Sequence, residues 1–135
     1  MDKIQWSEAL SVGVREIDEQ HRRLIDIIND LLEAKLTGKD AEAVSGIISR
    51  MVAYIDYHFG TEETYMIRFR YPGLVSHREE HRVFIRKAFE LRKRHSEDRE
   101  GLSLDVLGFL MDWIKKHVAE TDVQYKQCFI ENGLE

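Results

Sequence analysis

The 135-residue sequence predicts an all-α protein, an antiparallel up-down-up-down four-helix bundle with an N-terminal arm. Only one proline and eight glycines interrupt the chain, too few for a protein built from strands and tight turns. Four segments of similar length place apolar residues at intervals of three and four, which is the spacing of one helix face. Short breaks separate these segments, and short connections between helices of matched length favour antiparallel neighbours.

The composition indicates one globular domain spanning residues 1–135. Hydrophobic residues make up 43% and charged residues 33%, which excludes a disordered chain. No apolar run approaches the roughly 18 residues of a membrane-spanning helix, and the N-terminus lacks the apolar stretch of a secretory signal. A net charge of −5 with both signs mixed excludes a nucleic-acid surface. We therefore expect a cytoplasmic monomer with no nucleic-acid or membrane partner.

The N-terminal arm, residues 1–16, precedes the first helical pattern, and we expect its scattered apolar residues to pack against the bundle. The first helix is predicted over about 17–36, with Ile17, Leu24 and Ile28 on its apolar face. Thr37-Gly38 then supplies a glycine, the residue that most often ends a helix in a left-handed conformation.

The second helix is predicted over about 40–70, with Asp40 as its N-cap, and it ends before Tyr71-Pro72-Gly73. The third helix is predicted over about 74–95, and the polar stretch 96–101 that follows is expected to be a loop. The fourth helix is predicted over about 103–131, with Ser103 as its N-cap.

Each predicted helix carries at least one histidine on its apolar face. His21 lies between Ile17 and Leu24, and the other inward positions are His58 with Glu62, His77 with His81, and His117. Burying imidazoles and a carboxylate is costly unless they have partners. A dinuclear metal site at the bundle centre would give all of them partners, because residues four apart on a helix project to the same side.

The histidine pattern is specific because several ligand-like spacings occur together in one chain. Six histidines scattered at random over 135 positions give about 0.2 pairs at the spacing of His77 and His81. The His58–Glu62 pair and the His117–Asp122 pair are each weak signals alone. One histidine, then His-x3-Glu, His-x3-His and His-x4-Asp, one set to each helix, make a strong signal together.

The donor chemistry indicates which metal ions such a dinuclear site would suit. Five imidazoles and two carboxylates are nitrogen and oxygen ligands that suit Fe(II). The ferritin-like alternative uses Glu-x-x-His motifs, and no glutamate here has a histidine three residues later. With two carboxylates and one hydroxide, a diferrous centre would carry a formal charge of about +1. We infer that a site so rich in histidine and poor in carboxylate favours the higher oxidation state less strongly, which suits reversible binding better than oxidative O–O cleavage.

This ordered set resembles the hemerythrin family, specifically its single-domain bacterial members. The matching stretches are IDEQH (17–21), HFGTEE (58–63) with Met66, YPGLVSHREEH (71–81) and WIKKHVAETD (113–122). Trp6 and the segment Val12-Gly13-Val14 are also typical of the family. The resemblance also implies the same four-helix bundle fold.

The resemblance implies two iron ions per chain with an oxo or hydroxo bridge. His77, His81 and His117 would bind one iron, and His21 and His58 the other. Glu62 and Asp122 would bridge the two ions. Dioxygen would bind as a hydroperoxide at the open position of the second iron.

The resemblance also implies an apolar oxygen pocket, which would protect the bound group from protonation. Its lining would be Leu24, Phe59, Trp113, Ile114 and Val118. The family often has leucine where this chain has Ile114, which bears on the shape of the pocket and not on the metal ligands.

The spacing of His117 and Asp122 predicts a local irregularity in the fourth helix. Residues five apart in a regular α-helix lie about 140° apart around its axis, so these two would not share a face. We predict a π-bulge, with one inserted residue, between Val118 and Asp122.

The main functional prediction is reversible dioxygen binding for carriage, storage or delivery, without catalytic turnover. One alternative is an oxygen or redox sensor module acting through a separate partner. Another is a di-iron enzyme acting on peroxide or nitric oxide, or in iron detoxification, and a zinc site is a further alternative. His95 is predicted to be a cap or surface residue, Cys128 a small buried hydrophobe, and Glu79 and Glu80 are predicted to face water.

Overall fold

The computed structural model describes residues 2–97 and 99–135, and these form the predicted four-helix bundle with an N-terminal arm. The first helix is Arg15–Leu36 and the third is Leu74–Glu97. The second helix joins α-helical Asp40–Tyr54, a π-helical turn Ile55–Phe59 and α-helical Gly60–Arg68. The fourth joins α-helical Leu102–Trp113, π-helical Ile114–Thr121, a 3₁₀ turn Asp122–Tyr125 and α-helical Lys126–Glu131.

The interior contains two separate apolar clusters. The larger cluster fills one end of the bundle and includes Leu31, Ile48, Met51, Phe84 and Leu110, all fully buried. The smaller cluster consists of Val12, Val14, Ile17, Met66, Tyr125 and Phe129. Between the two clusters lie the buried histidines and acids, so the metal-ligand candidates sit across the middle of the bundle.

The first and second helices end in the same way, with a residue in the left-handed backbone conformation. Gly38 has a φ of +72°, and the N–H of Lys39 reaches back to the carbonyl of Ala34 at 2.7 Å. Arg70 occupies the equivalent left-handed position with a φ of +53°, and the N–H of Tyr71 donates to the carbonyl of Met66 at 2.9 Å. Both arrangements satisfy carbonyls that a helix end leaves without partners.

Several predicted boundaries differ from the structure. Ser103 is not the N-cap of the fourth helix, because the helix begins at Leu102 and Gly101 precedes it in a left-handed conformation. The Ser103 hydroxyl donates instead to Asp40, which is the first residue of the second helix and not its N-cap. The third helix extends through Glu97, so the predicted loop is shorter by two residues, and Asp98 lies outside the described residues.

The arm is fixed to the bundle at three points. The Asn29 amide accepts from the N–H of Ile4 and donates to its carbonyl, both at 2.8 Å. The Arg22 guanidinium lies 4.7 Å from the centre of the Trp6 ring. At Gly13 the backbone has a φ of +73°, in the left-handed region that favours glycine, and a Cβ there would lie 2.8 Å from Ile130 Cδ1.

Among the described helices, none combines the length and the apolar character needed to span a lipid bilayer.

Candidate metal centre

The structure brings together all seven side chains that the sequence proposes as ligands. Each of the four helices contributes, since His21 lies on the first, His58 and Glu62 on the second, His77 and His81 on the third, and His117 and Asp122 on the fourth. All seven are at most 2% exposed, which is unusual for ionisable residues.

The seven side chains form two overlapping groups in which the candidate ligand atoms lie within 4.8 Å of one another. The three-histidine pocket contains His77, His81, His117, Glu62 and Asp122. The two-histidine pocket contains His21 and His58 with the same two acids. Glu62 and Asp122 therefore belong to both pockets.

The distances between donor atoms match those of neighbouring ligands on one ion. Asp122 Oδ1 lies 2.9 Å from Nε2 of both His77 and His117, and Asp122 Oδ2 lies 2.9 Å from Nε2 of His21. Glu62 Oε1 lies 3.0 Å from His58 Nε2 and 3.2 Å from His81 Nε2. Two ligands bound at about 2.1 Å and at right angles would stand about 3 Å apart.

The same atoms lack hydrogen-bond partners. The Nε2 atoms of the five histidines, Glu62 Oε1 and both carboxylate oxygens of Asp122 are buried without an acceptor or donor in hydrogen-bonding geometry. Buried polar groups in folded proteins are nearly always paired, so a cluster of unpaired ones needs a partner of another kind. A pair of metal ions fits, because imidazole and carboxylate are both ligands of divalent transition metals.

The predicted π-bulge in the fourth helix is confirmed and is longer than predicted. The π-helical segment runs over Ile114–Thr121, and the N–H of Asp122 donates to the carbonyl of His117, five residues earlier. This wider turn brings Asp122 to the face that His117 occupies. A second π-helical turn, Ile55–Phe59, was not predicted and carries His58.

The charges of the centre favour ionised carboxylates. Burial alone would raise the pKa of Glu62, but the imidazoles of His58, His77 and His81 hold it well below its usual range. Burial opposes protonation of His77, yet its contacts with Asp122 and Glu62 raise its pKa to about 10. His58 differs, because burial outweighs its contact with Glu62 and lowers its pKa. Without metal, the site therefore holds protons on some of its imidazoles.

Three of the histidines are held from outside by residues that the sequence did not identify. The Nδ1 atom of His58 lies 2.7 Å from Gln20 Oε1 and that of His81 lies 2.7 Å from Glu63 Oε2. The Nδ1 atom of His117 lies 2.9 Å from Glu80 Oε1. The prediction that Glu80 simply faces water is therefore wrong: its half-exposed side chain turns back to His117. A partner on the outer nitrogen fixes the tautomer that directs Nε2 inward.

Two buried tyrosines also border the centre. The Tyr125 hydroxyl donates to Glu62 Oε2 at 2.5 Å, and burial followed by the nearby Glu62 charge raises its pKa well above the usual value. The Tyr54 ring stacks on His58 with 4.6 Å between centres, and its hydroxyl is buried without a partner. The sequence pattern singles out neither tyrosine, because a hydrophobic periodicity does not show where a hydroxyl points.

The residues predicted to line an oxygen pocket all lie in the larger apolar cluster beside the histidines. The Phe59 ring stacks on His81 with 3.9 Å between centres, and Trp113 stacks on His117 with 4.0 Å. Leu24, Ile114 and Val118 are buried in the same cluster. Of the remaining predictions, His95 is partly exposed and outside both pockets, and Cys128 is only half-buried against the smaller cluster.

Comparison with known proteins identifies chains that are similar over most of the length of this one. A family model described as the hemerythrin HHE cation binding domain matches residues 12–128. A bacteriohemerythrin of Pseudomonas aeruginosa (strain LESB58) is 33% identical over 125 residues, covering 93% of this chain and 80% of the relative. One from Clostridium acetobutylicum is 31% identical and covers 89% of this chain and 96% of the relative. A crystal structure of wild-type hemerythrin has a TM-score of 0.84 at 25% identity, covering 95% of this chain and 98% of that one.

Proposed function

Because the chain belongs to the hemerythrin family, we propose that it is a non-haem di-iron protein that binds dioxygen reversibly, for carriage, storage or delivery. The family resemblance inferred from the sequence is thereby confirmed. The observation that carries the functional proposal is the meeting of seven buried donor side chains in two overlapping pockets.

In this proposal each pocket holds one iron ion. The three-histidine pocket would supply three imidazoles and the two-histidine pocket two, and the carboxylates of Glu62 and Asp122, which belong to both pockets, would be shared by the ions together with an oxo or hydroxo group. The pocket with fewer protein ligands would leave room for dioxygen. When bound, the iron pair supplies the electrons that reversible dioxygen binding requires.

The protein's own part is to orient donors and hold protons. The Nδ1–H groups of His58, His81 and His117 donate to acceptors outside the centre, so their Nε2 lone pairs face inward. Tyr125 keeps a proton on its hydroxyl and donates it in a hydrogen bond to Glu62. Hydrogen-bonded in this way, the donors are in place before any ion or gas molecule arrives.

The apolar side chains beside the histidines are proposed to exclude water from the dioxygen position. Leu24, Phe59 and Val118 are at most 2% exposed, and Trp113 and Ile114 are at most 7% exposed. A dry, low-dielectric surrounding disfavours the separation of charge that would release a reduced oxygen species. We therefore propose these five residues as the lining of the oxygen pocket.

The experiment that tests the proposal is anaerobic reduction of the iron-loaded protein followed by exposure to air, monitored by visible absorption. We expect an oxygen-dependent charge-transfer band that appears in air and is lost when oxygen is removed, over repeated cycles. A protein that oxidises once and gives no reversible band would contradict dioxygen carriage.

Members of the hemerythrin family generally bind oxygen without catalysis, and we propose the same here, with no steady turnover. Continuous consumption of hydrogen peroxide or nitric oxide in the presence of a reductant would overturn this part of the proposal. We also propose that the protein is cytoplasmic and monomeric. Size-exclusion chromatography with light scattering tests the oligomeric state against the chain mass of 15.9 kDa.

A further inference from the structure

The two metal pockets differ in the residues that stand behind their histidines. In the three-histidine pocket, His81 is backed by the carboxylate of Glu63 and His117 by that of Glu80. In the two-histidine pocket, His58 is backed by the neutral amide of Gln20. His21 and His77 have buried Nδ1 atoms without a hydrogen-bond partner in the structure.

Each backing residue is itself held in position. The Arg78 guanidinium Nε donates to Glu63 Oε1 at 2.9 Å, and the Thr121 hydroxyl donates to Glu80 Oε1 at 2.9 Å. The Gln20 amide Nε2 donates to the Thr61 hydroxyl at 3.1 Å. These second contacts fix the rotamers of the backing residues and so the planes of the imidazoles.

A carboxylate behind an imidazole does more than orient it. A hydrogen bond to a charged acceptor is stronger than one to a neutral amide, and it moves negative charge onto the imidazole. The inward nitrogen then becomes a better donor to a cation. Two of the three imidazoles in the three-histidine pocket have a carboxylate behind them and so bind a cation more strongly. Neither imidazole of the two-histidine pocket has one.

We propose that Glu63, Glu80 and Gln20 are positioning residues that make the two pockets unequal in metal affinity. The three-histidine pocket retains its ion more tightly and the two-histidine pocket releases its ion first. The inference rests on the proposed di-iron function but goes beyond it, since seven ligands alone do not fix the contribution of these three residues.

The test uses the iron-loaded, reduced protein under anaerobic conditions, titrated with a chelator specific for Fe(II). Wild-type protein is expected to lose iron in two steps of one ion per chain. Glu63→Gln and Glu80→Gln keep the shape of the side chain and remove its charge. Each should weaken retention in the second step by about tenfold or more and leave the first step unchanged.

The reciprocal variant is Gln20→Glu, which places a carboxylate behind His58. In the unmutated chain the Thr61 hydroxyl donates to the Tyr57 carbonyl, and in the variant it can turn toward the new carboxylate. Retention in the first step should tighten by about tenfold, a gain that damage to the fold cannot produce. Glu79→Gln and Gln5→Glu make the same charge changes at exposed positions and should move neither step.

The possible outcomes separate the inference from the proposed function. Wild-type protein that holds fewer than two iron ions per chain overturns the di-iron proposal and this inference with it. Two bound ions that leave in one step, or two steps that the three variants move no more than the surface controls do, overturn the inference alone.

Discussion

A single buried hydrogen bond holds the carboxylate that the two pockets share. Glu62 is fully buried, and its Oε2 accepts from the Tyr125 hydroxyl at 2.5 Å while its other oxygen faces the histidines. A carboxylate with one oxygen fixed in this way cannot rotate without losing a charge-assisted bond. Tyr125 therefore acts on both pockets through Glu62.

Replacing this tyrosine should lower stability without changing shape. Tyr125→Phe should reduce the free energy of unfolding of the metal-free protein by about 1.5–3 kcal/mol, because Glu62 loses a buried donor. Urea denaturation measures the change. Tyr65→Phe is the matched control, since its hydroxyl contacts the carboxylate of Glu16 at 3.3 Å on the surface and should cost much less. Equal losses from the two variants would show that Tyr125 does not support Glu62.

Removing a ligand should change the iron content directly. His117→Ala, or Glu62→Ala, should abolish the stoichiometry of two iron ions per chain, because each takes donor atoms from a pocket. Iron analysis of the purified protein gives the ratio. His95→Ala removes a histidine of the same helix bundle that lies outside both pockets and should keep two ions. Retention of both ions in His117→Ala would mean that the proposed ligand set is wrong.

At the scale of single residues, the sequence predicts the inward side chains and not the residues that orient them. His77 and His81 can be identified because residues four apart share a helix face. Gln20, Glu63 and Glu80 occupy positions that amphipathic periodicity assigns to solvent. Their long side chains reach back to histidines on neighbouring helices, which depends on helix packing and leaves no mark in the local pattern.

At the scale of the helix, the π-helical segments determine which side chains meet. The segment Ile114–Thr121 absorbs one extra residue, so that His117 and Asp122 face the same way although five positions separate them. This irregularity could be predicted because the ligand spacing conflicts with the α-helical repeat. The turn Ile55–Phe59 could not, because His58 and Glu62 already match that repeat.

Shortening and lengthening the π-helical segment Ile114–Thr121 by one residue should affect the iron content differently. Deleting the exposed Glu120 reduces the spacing to four, which a regular α-helix satisfies, so iron should remain at two per chain. Inserting one alanine between Glu120 and Thr121 turns Asp122 about 100° away and should reduce the iron content. Metal analysis and circular dichroism report both results. A deletion variant that folds but loses iron would show that the π-helical geometry itself is required.

At the scale of the whole molecule, the candidate metal centre draws on all four helices. The proposed ligands extend from His21 to Asp122, so bound ions would link segments that are distant in sequence. The bundle and its order of helices follow from amphipathic periodicity and short breaks. The position of the arm depends on pairings that the sequence pattern does not contain, such as that of Asn29 with Ile4.

Removing the metal should lower the melting temperature by more than about 10 °C. The free energy of metal binding contributes to folding, and its loss leaves buried donors without partners. Differential scanning calorimetry before and after chelation measures the difference, and restoring iron should reverse it. Equal melting temperatures for the two forms would contradict a metal site in the core.

The metal-free protein should lose stability as the pH rises from about 6.5 to 10. The pKa of His77 is raised to about 10 by Asp122 and Glu62, whereas an unfolded histidine titrates near 6.5. In this range the folded chain therefore binds more protons than the unfolded chain. The stability that His77 contributes is fully present below pH 6.5 and is lost as the pH rises toward 10. Urea denaturation across this range measures the slope, which His77→Asn should reduce. A flat profile would show that His77 is neutral in the folded, metal-free chain.

The division of the interior into two apolar clusters has a consequence for how the molecule opens. The smaller cluster joins Val12 and Val14, at the end of the arm, to Phe129 in the last turn of the fourth helix, whereas Ile4, Trp6 and Leu10 of the arm pack in the larger cluster. With iron bound, coordination bonds would couple the two clusters, and we expect unfolding to be cooperative. Without iron this coupling is lost, and we expect the smaller cluster to become a separate foldon whose amide protons exchange first.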